Sequence, residues 1–246
     1  MLKYRLLGSA LLISLSFIPV GIIPSAAQVT FRPRSAAQVT FRPPRILAPR
    51  ESTGGASRGG NGCLSAQTAS QNASVTPVLP SSRIGFTVKE RPTMLVYIPQ
   101  TSAKKALFSL QDEQKRNHYQ TTINLPEKSG VIAIQLPESA PALQTGKNYQ
   151  WSLSMICSAQ LEPDSPLVNG WIQRVQSPVS LKHHDHSSPS LKLVSHLADN
   201  GVWYDTASEL ARLKKAHPQN PTITVSWQQL LDSVGLNAIA NQPLIN

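Results

Sequence analysis

The sequence predicts a mainly β fold of the α+β kind: an immunoglobulin-like antiparallel β-sandwich with a short C-terminal helical appendage. Three observations carry that expectation. Residues 147–157 alternate cleanly, with Tyr149, Trp151, Leu153, Met155 and Cys157 on one face and Asn148, Gln150, Ser152 and Ser154 on the other. Such a period of two suits a strand buried on one side, because successive Cβ atoms point to opposite faces of a sheet. Further short apolar runs, punctuated by Pro, Gly and Asp turns, surround it. Two capping-box patterns then follow near the C-terminus.

In chain order, residues 1–27 read as a secretory signal peptide. Lys3 and Arg5 form a charged start, an apolar middle follows, and Ser25-Ala26-Ala27 supplies small residues for cleavage. Pro19, Gly21 and Pro24 interrupt the apolar run, which argues against a permanent span. No cysteine precedes Cys63, which argues against a lipid anchor. The segment from Ser25 to Pro33 recurs unchanged from Ser35 to Pro43, so a second cleavage position lies after Ala37. This expectation places the protein outside the cytoplasm, in the periplasm or beyond.

Residues 28–62 read as a disordered, basic Pro/Gly/Arg-rich tail and linker. Six arginines (Arg32, Arg34, Arg42, Arg45, Arg50, Arg58) stand there against Glu51. The rest of the mature chain carries fifteen Lys or Arg against twelve Asp or Glu. The net charge of +10 therefore belongs largely to the signal segment and the tail, and the body shows no basic groove for nucleic acid. Gly55-Ala56-Ser57-Arg58-Gly59 matches a nucleophile-elbow pattern, but glycines follow it where the motif needs a helix, so Ser57 is not expected to be catalytic.

The sandwich is expected over residues 63–177. Its strands are placed at 84–89, 93–99, 106–110, 118–125, 130–136, 148–157 and 167–175. Met94 to Ile98 is apolar at every position, as in a strand covered on both faces. Trp171 is expected near Trp151. Cys63 and Cys157 are the only cysteines, and an even count in an exported chain favours one disulfide.

Residues 178–190 read as a polar linker containing His183, His184, Asp185 and His186. The histidines are weak candidates for zinc or copper; adjacent residues in a loop seldom close a tetrahedral site, so no metal or cofactor is expected. Residues 191–246 are expected to be helical and packed on the sandwich. Thr206-Ala207-Ser208-Glu209 and Ser226-Trp227-Gln228-Gln229 each read as a capping box opening a helix. Arg212, Lys214 and Lys215 fall near the first helix's C-terminal end, where its dipole favours cations. Gly235 is placed at the C-terminal cap of the second.

The chain resembles an exported cyanobacterial family catalogued as domain of unknown function 928. The resemblance runs from about Phe41 to Leu244 and rests on Pro43-Pro44, Arg58-Gly59, Arg91-Pro92-Thr93, Tyr97-Ile98-Pro99, Gly146-Lys147, Tyr149, Trp151 and Cys157. It continues through Gly170-Trp171-Ile172, Arg174, Gly201-Val202-Trp203-Tyr204-Asp205 and Trp227. Gln173 stands where that family's pattern suggests an acid. The resemblance implies an exported compartment and this architecture, and no activity.

Three functions follow as expectations. The first is a non-enzymatic envelope module binding a partner protein or glycan. Trp203, Tyr204 and Asp205 are its candidate surface, set against the alternative that Trp203 and Tyr204 only pack the first helix. The second is a hydrolase of envelope polymers using pairs among Glu162, Asp164, Asp199 and Asp205. The third is electrostatic attachment through the arginine tail.

Overall fold

The computed structural model describes residues 39–44, 63–64, 74–177 and 190–245. The expected export signal, Ser57, His183, His184 and His186 lie outside the described residues.

Eight strands build two sheets. They are β1 (Thr76–Pro77), β2 (Ile84–Thr87), β3 (Thr93–Ile98), β4 (Lys105–Asp112), β5 (Asn117–Asn124), β6 (Gly130–Gln135), β7 (Asn148–Ile156) and β8 (Leu167–Arg174). A three-stranded sheet runs β1-β3-β6, and a five-stranded sheet runs β2-β8-β7-β4-β5. Each of the seven expected strands forms. The additional strand, β1, holds two residues and is too short to leave a periodic signal.

The strand order explains why the sandwich is immunoglobulin-like. The chain starts in the small sheet as β1, turns through Pro80–Arg83 and crosses to the edge of the large sheet as β2. There β2 pairs parallel with the last strand, Ile84 opposite Trp171 and Thr87 opposite Arg174. The expectation of a purely antiparallel sandwich is corrected at this one pair. The first strand has switched sheets, and a strand that does so meets the last strand running the same way. Arg83 takes the left-handed conformation, φ 55°, in the turn that makes the crossing.

β7 has the alternation its sequence demands, with Tyr149, Trp151, Leu153 and Met155 buried and each intervening residue half-buried. Its buried row lies opposite Leu110, Phe108 and Ala106 of β4. The Tyr149 hydroxyl accepts a bond from the Gln144 backbone N–H at 3.1 Å, a tyrosine corner at the start of the strand. β3 is buried from Met94 to Ile98, as its unbroken apolar run requires.

Trp171 is placed differently from the expectation. Trp151 lies opposite Gly170, and Trp171 lies opposite Gln150, so the two indoles occupy opposite faces of the sheet. Gly170 leaves room for that face, because a Cβ there would sit 2.9 Å from the Trp151 ring.

The disulfide joins Cys63 to Cys157 across 94 positions. Closing so long a loop stabilises the fold by roughly 4–5 kcal/mol in the chain-entropy account. It also holds the Leu64–Thr101 bridge beside the end of β7.

Three helices follow: α1 (Leu191–Asp199), α2 (Trp203–Ala216) and α3 (Pro221–Asp232). Neither expected capping box opens a helix. Thr206 and Ser226 lie inside α2 and α3, where their hydroxyls donate to the carbonyls of Val202 and Thr222 four residues back. The cap of α3 is Asn220, whose Oδ1 accepts from Thr222 and Ile223, with Pro221 at the first helical position. Ser190 caps α1 in the same way. Gly235 has φ 80° just past α3, the left-handed geometry expected of it.

The expectation of a disordered tail is corrected over residues 39–44. Val39 and Phe41 are buried, and the Phe41 ring meets Trp203 edge-on at 4.7 Å between centroids. The Arg42 N–H donates to Ala198. Two apolar side chains at alternate positions bury themselves against the helices, and compositional disorder does not apply where such burial is available.

Candidate functional site

α2 arises from an amphipathic stripe, but its two ends face different surroundings. The first turn enters the core. Trp203 donates its indole N–H to the Val78 carbonyl at 2.8 Å, and the Tyr204 hydroxyl accepts from Trp151 and donates to the Trp171 carbonyl. Gly85 permits this approach, since a Cβ there would lie 2.9 Å from the Tyr204 ring. Burial pushes the Tyr204 hydroxyl well above the usual tyrosine range.

Asp205 completes the turn. One carboxylate oxygen accepts the Val88 N–H at 3.0 Å, and the other is buried without a partner. Burial pushes its carboxyl up, opposed by the Lys89 charge and by hydrogen bonds from Thr87 and Val88. Trp203, Tyr204 and Asp205 are therefore interior groups, and the expectation of a binding surface there is corrected. The helix needs its apolar first turn for docking, as the alternative reading held.

The structure does not assemble the other candidates. Glu162 and Asp164 are exposed on the loop between β7 and β8. Asp199 pairs with Arg42 at 3.6 Å at the surface, far from the role of a buried acid. Among the described residues, Asp205 interacts with the carboxylate of Glu209, and neither is part of the lining of the cavity at the other end of α2. No cluster of three or more metal-ligating side chains occurs among the described residues.

What the fold does assemble lies at the other end of α2. Ser208, Ala211, Arg212 and Lys215, spaced as one helical stripe, face Thr93 and Leu95 of β3 and Val131, Ala133 and Gln135 of β6. Leu244 and Ile245 form a further wall, held to β6 because Ile245 donates to the Val131 carbonyl and Val131 donates to Pro243. The cavity between them measures about 440 Å³, within the range of small-ligand sites.

Its charge is unbalanced. Lys89, Arg212 and Lys215 line it. Behind them Glu209, nearly buried, accepts from Lys89 Nζ and from an Arg212 guanidinium N–H, each at 2.7 Å. Lys215 has no ion-pair partner among the described residues. Three cations against one carboxylate leave the cavity positive. The apolar side chains Leu95, Val131, Ala211 and Leu244 lie beside them.

A second hollow, about 500 Å³, opens at the tip of the β4–β5 hairpin. Several of its polar groups are engaged with one another: Arg116 with Asp112, Asn148 with Glu113, and the Gln144 N–H with Tyr149. Its Arg116 and Lys147 are matched by Asp112 and Glu113, whereas the α2 cavity brings three cations to one carboxylate.

Sequence reasoning saw Arg212 and Lys215 only as complements to a helix dipole and passed over Lys89. The stripe 208, 211, 212, 215 was the available signal, since small and basic residues share it at helical spacing.

The Domain of Unknown Function (DUF928) family model matches residues 53–244. No curated protein matches the chain.

Proposed function

The chain belongs to the DUF928 family, and we propose that it is an exported, non-enzymatic module of the cell envelope that binds its partner through the cavity between α2, β3 and β6. The observation that supports this reading is the cavity's surplus of cations beside an apolar wall, a surface with recognition chemistry and no nucleophile paired to a base. The disulfide between Cys63 and Cys157 supports an oxidising compartment. No helix among the described residues is long and apolar enough to cross a membrane.

A photo-crosslinking side chain at Gln135, exposed and lining the cavity, tests the reading in the mature protein incubated with envelope extract. The same side chain at Gln120, exposed on β5, is the comparison. Material captured from Gln135 and absent from Gln120 is the expected result. Equal capture at the two positions overturns the assignment of the cavity.

A further inference from the structure

We propose that the α2 cavity takes a single-chain amphiphile with an anionic head group. Arg212, Lys215 and Lys89 hold the head, and the alkyl chain lies along Leu95, Ala211 and Leu244. The inference rests on the binding reading above and names the ligand class.

Each part of the class follows from a different feature. The head is anionic because Glu209 neutralises only part of the charge that Lys89, Arg212 and Lys215 bring to one rim. Arg212 shows one bond to Glu209, so most of the guanidinium's N–H donors remain for an incoming oxyanion. Glu209 also fixes where those donors stand: it holds Lys89 on the sheet side and Arg212 on the helix side of the same cavity. The buried carboxylate thus pre-organises two cations that would otherwise sample many rotamers, which lowers the entropic cost of binding.

The tail is apolar because the surface beside the cations is largely apolar. Leu95 of β3 lies opposite Ala133 of β6, Val131 follows two residues back along β6 on the same face, and Leu244 bridges to Val131. A free inorganic anion would satisfy the rim and leave the apolar surface that Ala133, Leu244 and Ile245 still expose in contact with water. A neutral amphiphile would cover the wall and strip water from unpaired cations, which is unfavourable. A head and a tail joined in one molecule satisfy both surfaces. The open mouth and the volume of about 440 Å³ suit one chain and exclude a bilayer patch.

Calorimetric titration of the mature protein tests the class, with hexanoate, octanoate, decanoate, decyl phosphate, decyl maltoside and inorganic phosphate, each below its micellar concentration. Affinity is expected to rise with chain length, by up to about fourfold per methylene for full burial. Decyl phosphate should bind and decyl maltoside should bind at least tenfold more weakly. Arg212→Gln with Lys215→Gln should weaken decanoate at least tenfold. Ala133→Trp keeps every cation and fills the cavity, so it should abolish decanoate binding; circular dichroism checks that the variants are folded.

Decyl maltoside binding as tightly as decyl phosphate overturns the anionic head. Inorganic phosphate binding as tightly as decyl phosphate overturns the tail. Unchanged decanoate affinity in folded Ala133→Trp overturns the location. Capture from Gln135 without binding of any amphiphile removes the ligand class and leaves the binding reading standing; loss of both removes both.

Discussion

Helix α2 buries its first turn and exposes its last. Trp203, Tyr204 and Asp205 are 0, 3 and 1 % exposed, whereas Arg212 and Lys215 stand at the surface. The first turn contains the polar groups that would look functional in isolation, an indole, a phenol and a carboxylate. Their polar atoms are directed at Val78, Trp151, Trp171 and Val88, so they anchor the helix to both sheets. The last turns contain residues that would pass for ordinary solubilising charge. They become a site because β3, β6 and the C-terminal segment rise beside them. The contrast teaches that the character of a side chain says less about function than the number of partners the fold has already given it.

The largest effect expected from breaking this contrast is at the anchor. Trp203→Ala removes a fully buried indole, its contact with Phe41 and its bond to Val78, and should cost about 3–5 kcal/mol in urea unfolding. A loss below about 1 kcal/mol would mean that the first turn does not hold the helix in place.

A smaller effect is expected at Asp205, where the contrast can be read in pH. Its carboxyl is pushed above the ordinary value by burial, with the Lys89 charge opposing and the Glu209 charge reinforcing the shift. The folded state therefore holds the proton more tightly than the unfolded chain does. The stabilisation is complete below the unfolded value near 3.8 and is lost as pH rises through the raised folded value. Asp205→Asn stays neutral throughout. Wild type should lose stability relative to that variant as pH climbs from about 4, a slope that melting curves across pH would show. Parallel curves would contradict it.

The smallest effect on folding belongs to the open end. Lys215→Gln should change unfolding free energy by no more than about 0.5 kcal/mol, because an exposed cation without an ion pair contributes little. A loss near that of Trp203→Ala would erase the distinction between the two ends.

Much of this architecture is legible in the sequence. Strands β2 to β8 are visible because a period of two, or an unbroken apolar run, is written into adjacent residues and needs no distant partner. The helix starts are less legible. Thr206 and Ser226 carry the letters of a cap, yet a hydroxyl inside a helix can donate to the carbonyl four residues back and leave the same letters mid-helix. Asn220-Pro221 was the better signal for α3, combining a cap acceptor with a residue that needs no N–H. The cavity is not legible, because Lys89 meets Glu209 across 120 positions of sequence.

The sequence by itself determined strands β2 to β8, the buried face of β7 and the pairing of the only two cysteines, since each depends on local periodicity or on a choice without alternatives. Tertiary structure decided the parallel seam between β2 and β8, the burial of Val39 and Phe41, and the division of α2 into an anchor and a cationic wall. Backbone geometry repeats every two or every 3.6 residues and so leaves its mark on neighbours. Burial and charge balance depend on which distant residues arrive, and they exist only once the chain has folded.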